Sequence, residues 1–124
     1  MIDNTAFGGF IVSKNVLKGI PVRYTYREPS AQPQLNGWHL LSEIDDDEFV
    51  SEISNFVIVS AETIYPYCPL LFVIFNAPYG TDLFWQYNDD GTLYRIYDLK
   101  NDCETTLEQI MNAQENNSEE KKDE

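Results

Sequence analysis

Two aromatic-rich runs, Leu83–Tyr87 and Leu93–Tyr97, flank the pentapeptide Asn88-Asp89-Asp90-Gly91-Thr92. An Asp-Gly step between two such runs is a strong short-range hairpin signal, because the turn needs residues that tolerate positive φ. This part of the chain is therefore committed to an antiparallel sheet. The stretch Pro21–Arg27 extends the commitment. Val22, Tyr24 and Tyr26 alternate there with Arg23, Thr25 and Arg27, the period of two that a strand with unlike faces imposes.

The remaining elements are shorter. Gly9–Lys14 alternates like a strand, and Asn15–Lys18 is one turn ahead of Gly19. Pro29–Pro33 reads as a polar loop. Trp38–Leu41 is a strand introduced by an Asn36-Gly37 turn, and Phe56–Val59 is another strand. Asp45 with Glu48 resembles a capping box, and Phe49, Val50 and Ile53 follow at helical spacing, which predicts a helix of about three turns at most. Ser60 caps a brief turn through Ile64, cut short by Pro66 and Pro69. Leu70–Phe75 fits either a buried strand or a short helix opened by Pro69. Asn101 with Glu104 suggests a cap, with Cys103, Leu107, Ile110 and Met111 on one helical face.

The sum is an α+β fold: a mainly antiparallel sheet with short helices and a C-terminal helix, in one domain over residues 1–114. Residues 115–124 are polar and charged and are expected to form a disordered acidic tail.

Charge limits the partners. The chain has 21 acidic and 8 basic side chains, a net of -13, so phosphate backbones are repelled and nucleic-acid binding is not expected. Acidity speeds encounter with a basic protein, although it also serves solubility alone. The longest apolar run, Leu70–Phe75, is too short to span a membrane, and the first residues lack the basic and apolar regions of a signal peptide. A cytoplasmic location and no membrane partner are expected. Cys68 and Cys103 form no CxxC pair, and two buried free thiols are expected.

Little in the chain suggests catalysis. His39 has no serine or cysteine partner nearby in sequence. The acidic run Asp45-Asp46-Asp47-Glu48 lacks the ligand spacing and central glycine of a calcium loop, and suits a helix start. No metal site or cofactor is expected. Gly8-Gly9 precedes a strand, so it is not a phosphate loop. Arg27 and Glu28 end a strand and could serve a site at the sheet rim. Tyr79, at the tip of the turn Ala77-Pro78-Tyr79-Gly80, is an exposed aromatic of the kind used at interfaces. Trp85, Tyr87, Tyr94 and Tyr97 suggest cross-strand packing.

Taken in order, Gly8-Gly9-Phe10-Ile11-Val12-Ser13-Lys14, Tyr26-Arg27-Glu28-Pro29, Gly37-Trp38-His39-Leu40-Leu41-Ser42, Asp45-Asp46-Asp47-Glu48-Phe49 and Ala77-Pro78-Tyr79-Gly80 resemble the immunity protein 33 domain family, across roughly residues 8 to 85. The resemblance implies a bacterial protein that neutralises a toxin, with no catalytic residues. Its recurring features fall on Gly9, Ser13, Arg27, Glu28, Pro29, Gly37, Trp38 and the acidic run. Glu43 stands where the family often has glycine, and Tyr65–Phe75 is more aromatic than the family pattern.

The leading expectation is thus a non-enzymatic immunity protein whose partner is a cognate toxin, a basic one being favoured by charge. Its contact residues are expected to be Arg27, Glu28, Trp38, Asp45, Asp46, Asp47, Glu48 and Tyr79, with the acidic run lying near Trp38 and Tyr79. The alternative is a small-molecule-binding or regulatory module using a pocket in the aromatic sheet.

Overall fold

The computed structural model describes residues 8–30, 32 and 34–112. Seven strands form one sheet: β1 (Gly9–Ser13), β2 (Val22–Arg27), β3 (Leu35–Ser42), β4 (Phe56–Val59), β5 (Asp82–Tyr87), β6 (Leu93–Asp98) and β7 (Cys103–Thr105). Their order across the sheet is β4-β1-β3-β2-β5-β6-β7. Five neighbouring pairs are antiparallel, and β1 with β3 is parallel. Single-turn helices, α1 (Lys14–Leu17), α2 (Asp47–Val50) and α3 (Ala61–Ile64), lie between strands, and a last helix, α4, occupies 107–112. The fold is strand-rich, with the mostly antiparallel sheet, short helices and C-terminal helix expected. The acidic tail expected at 115–124 lies outside the described residues.

The hairpin is as its sequence demands. Tyr87 pairs with Leu93, Gly91 takes φ +88, and Asn88 N donates to Thr92 O at 2.8 Å. Trp85 lies opposite Ile96 and Phe84 opposite Tyr97, while Tyr94 is exposed. The expected aromatic quartet is thus split between the two faces of the ribbon.

Alternation builds one core face. Phe10, Val12, Trp38, Leu40, Thr25, Leu83, Trp85 and Ile96 are buried. They pack against Val16 of α1, Ala61 and Ile64 of α3, and Ile110 of α4. Leu71 and Ile74 complete the cover from a 3-10 helix over Pro69–Ile74, which resolves Leu70–Phe75 as helical with Pro69 in its first turn. The opposite face carries the intervening residues, with Tyr26 stacked on His39 at 4.5 Å and Tyr24 against Phe84 at 5.1 Å.

Three sequence expectations change. Asn36-Gly37 lies inside β3 and is not a turn before it: between Gly9 and Ile11 the β1 register advances two residues while β3 advances four. That irregularity needs the same positive φ a turn would, and Gly37 sits at φ +90. The helix after Asp45 is one turn, not up to three, because Ile53–Asn55 breaks into a 3-10 turn that leads into β4. Residues 103–105 form β7 against β6, and Thr106 caps α4 instead of Asn101, with Gln109 N donating to its Oγ1. Cys103 is consequently exposed, not buried, and both cysteines are free.

Candidate functional site

The expected contact residues fall into two groups at opposite ends of β3. At one end, β2 finishes with Arg27 and Glu28 beside Gly37 and Trp38 of β3. Arg27 is turned into the protein. Its Nε donates to Asn36 O at 2.9 Å, and its Nη1 donates to Phe75 O and Ala77 O at 3.0 and 2.9 Å. Its guanidinium lies over the rings of Tyr79, Phe75 and Trp38, 4.7 to 5.9 Å from their centres. Burial pulls its pKa below the ordinary arginine value. Five N–H donors in a planar fork suit this work, because three carbonyl oxygens from two segments must be met at once.

Trp38 is fully buried, and its Nε1 donates to Phe75 O at 3.0 Å. Arg27 and Trp38 therefore fasten the 75–79 segment to the sheet, and Trp38 offers a partner no surface. Tyr79, in contrast, is 52% exposed. Its ring passes over Gly37, where an added Cβ would come within 3.0 Å of Tyr79 and 2.4 Å of Glu28 O. Glu28 is exposed and lies 3.7 Å from Nε2 of His39, whose Nδ1 is 3.1 Å from Gly37 O. The His39 ring is held by Tyr26, Glu28 and Gly37, an arrangement that fixes a side chain but supplies no nucleophile. At this end Glu28 and Tyr79 are the members that face outward.

The acidic run follows the other end of β3. Gly37 and Ser42 are five residues apart, roughly 16 Å at strand spacing, so the expected proximity of the run to Trp38 and Tyr79 is not found. The four acids also divide. Asp45 faces inward and accepts from Asn15 Nδ2 at 2.8 Å and from Ser42 N and Oγ, both at 2.7 Å. Burial pushes its pKa up, but the bonds from Asn15, Ser13 and Ser42 outweigh that and hold it below the ordinary value. Asp46 is the cap of α2, accepting from Phe49 N at 2.8 Å. Asp47 and Glu48 project from the first turn, where carboxylates are favoured by the helix's N–H groups.

The surface here has a component the sequence reading missed. Ile44, Val50 and Ile53 are 58%, 37% and 87% exposed, and they stand among Glu43, Asp46, Asp47, Glu48 and Glu52. Glu43 is partly spent on Arg23 at 3.0 Å. Ile58 of β4, 60% exposed, belongs to the strand that ends this segment. Phe49 packs edge-on to Phe56, which anchors the segment to the sheet and leaves its isoleucines outside. The signal was available in the run 47–54. Only Phe49, Val50 and Ile53 are apolar there, too few for a stripe that could dock a helix.

Among the described residues no three His, Cys, Asp or Glu side chains converge as metal ligands. No helix of the described residues is long and apolar enough to cross a membrane.

The family described as immunity protein Imm33 domain matches residues 10–97, from β1 through most of β6. No curated protein and no solved structure matches the chain.

Proposed function

The chain belongs to the immunity protein Imm33 domain family, and from that premise we propose that it binds and neutralises a cognate bacterial toxin, acting as a binder and not as a catalyst. The family match carries the reading. The surface we assign to the toxin is the 43–53 segment, in which exposed isoleucines are ringed by carboxylates. Solvent-exposed apolar side chains inside a charged rim resemble the centre-and-rim arrangement of binding surfaces, where a few anchors supply most of the affinity. The rim of Asp46, Asp47, Glu48 and Glu52 favours a toxin with a basic patch, because opposite charge accelerates encounter. Glu28 and Tyr79 are a second contact point, separated from the first along β3. Arg27 and Trp38 support the Glu28 and Tyr79 point from within, and Asp45 supports the 43–53 segment.

The experiment is co-purification with a toxin encoded beside this chain's gene, together with survival of cells that express the toxin. A stable complex and protection are expected. Absence of both at micromolar protein would defeat the proposal.

A further inference from the structure

A cavity of about 220 Å³ lies on the covered face of the sheet, where β2, β5 and β6 are roofed by the 67–71 segment. Two irregularities in strand pairing shape it. The register shift between Val22 and Tyr24 lets Val22 and Thr25, three residues apart, both face inward. The shift at Gln86 and Tyr87 does the same for Leu93 and Ile96 of β6. Bulges of this kind commonly border sites, because they re-aim side chains.

The walls are apolar, and no lining residue has an ionised side chain. Burial pushes the Cys68 thiol and the Tyr87 phenol each up to about 12, so both are neutral near pH 7. Tyr87 spends its hydroxyl on Val22 O. Thr25 does not. Its Oγ1 accepts from Trp85 Nε1 at 2.8 Å, and among the described residues no acceptor takes its own proton. Thr25 as a whole is 1% exposed, so the cavity presents almost none of it.

We infer that this cavity binds a small neutral molecule built on one apolar ring. An apolar cavity of about 150 Å³ can hold benzene, so this one has room for a ring with a short oxygen-bearing substituent. A carboxylate or ammonium ligand is disfavoured, since the walls offer no counter-charge. The exposed lining residues Tyr67, Leu70 and Gly91 mark the way in.

The two tryptophans supply the test. Trp85 lines the cavity, whereas Trp38 bonds Phe75 O and does not line it. Benzyl alcohol, cyclohexanone and benzoate are titrated into the ¹⁵N-labelled full chain while both indole N–H resonances are followed. The two neutral compounds are expected to shift the Trp85 signal saturably, with half-saturation on the order of 1 mM, and to leave Trp38 in place. Benzoate is expected to do neither. Cys68→Leu, which fills the cavity from its wall, is expected to abolish the shift while the Trp38 resonance is retained. A non-saturating response, equal shifts at both indoles, or no Trp85 response would overturn the inference. If that variant does not fold, saturation and the contrast with benzoate in the unmodified chain decide it. Loss of toxin protection in Cys68→Leu, with no Trp85 response in the unmodified chain, would make the occupant a toxin side chain, and would equally overturn it.

Discussion

Arg27 and Trp38 donate to the same acceptor: the carbonyl oxygen of Phe75 takes the guanidinium Nη1 and the indole Nε1, each at 3.0 Å. One backbone carbonyl thus ties two adjacent strands to the segment that carries Tyr79. Both residues suggest binding when read from the sequence, because arginine and tryptophan are the side chains interfaces favour. Their geometry assigns them to the fold.

Arg27→Lys removes the fork and strands at least one of the carbonyl oxygens it bonds. It is expected to lower stability by about 2 kcal/mol. Trp38→Phe leaves Phe75 O still bonded by Arg27 and is expected to cost about 1 kcal/mol beyond any loss of packing. Because the acceptor is shared, the double variant should depart from additivity. Urea denaturation of the four proteins checks this, and strictly additive losses would count against the shared role.

Gly37→Ala places a methyl group 2.4 Å from Glu28 O at a backbone φ of +90. Gly91→Ala has a comparable φ of +88 but meets nothing within 4 Å. The second change is expected to cost about 1 kcal/mol, from conformation alone. The first should cost clearly more, because β2 and β3 must separate. Thermal unfolding of both variants separates strain from clash. Equal losses would mean that the strands give way freely.

Asp45 links stability to acid. Its folded pKa lies below the ordinary value, so the carboxylate contributes stability that is fully present above its unfolded pKa of about 3.9. That contribution is lost as pH falls through the lower folded value. Asp45→Asn should therefore be less stable than the unmodified chain at pH 7, with the gap closing below about pH 4. Urea midpoints across that range test the sign. A gap independent of pH would show that the charge does not matter.

Ile53 is 87% exposed. Ile53→Asp should change stability by no more than about 0.5 kcal/mol yet weaken toxin binding by about 1–2 kcal/mol, the loss of an interface anchor. Asp47→Lys with Glu48→Lys should mainly slow association, by an amount that shrinks as salt is raised. Kinetic binding measurements at two ionic strengths distinguish the two effects. Unaltered affinity in both variants would place the interface elsewhere.

The hairpin and β2 were legible as elements because their signals are local: turn chemistry at Gly91 and the alternation over 22–27, although a register shift after Val22 makes Thr25 and not Tyr24 face inward. What depended on distant partners was not. Trp38, His39, Leu40 and Leu41 are all bulky, so no alternation in them reveals that Trp38 and Leu40 face the core. Asn36-Gly37 looks the same whether it makes a turn or a kink within a strand, because both need positive φ. Asp45 resembles a cap until Asn15, thirty residues earlier, is seen to hold it. The site was legible as a list of residue types and illegible as a surface: one inward acid, Asp45, opens a run whose other three face outward, and Val50 and Ile53, both exposed, read as helix core.

The parallel contact between β1 and β3 sets an order of events in folding. β1 pairs only with β3 and β4, so it has no place in the sheet until residues 35–42 exist. During synthesis Phe10 and Val12 must wait, apolar and uncovered, for a partner made later. Such delayed, non-local closure slows folding and lengthens the time in which sticky segments can meet other chains. The hairpin at β5 and β6 has no such wait. The end of the chain that appears first is therefore the end that settles late.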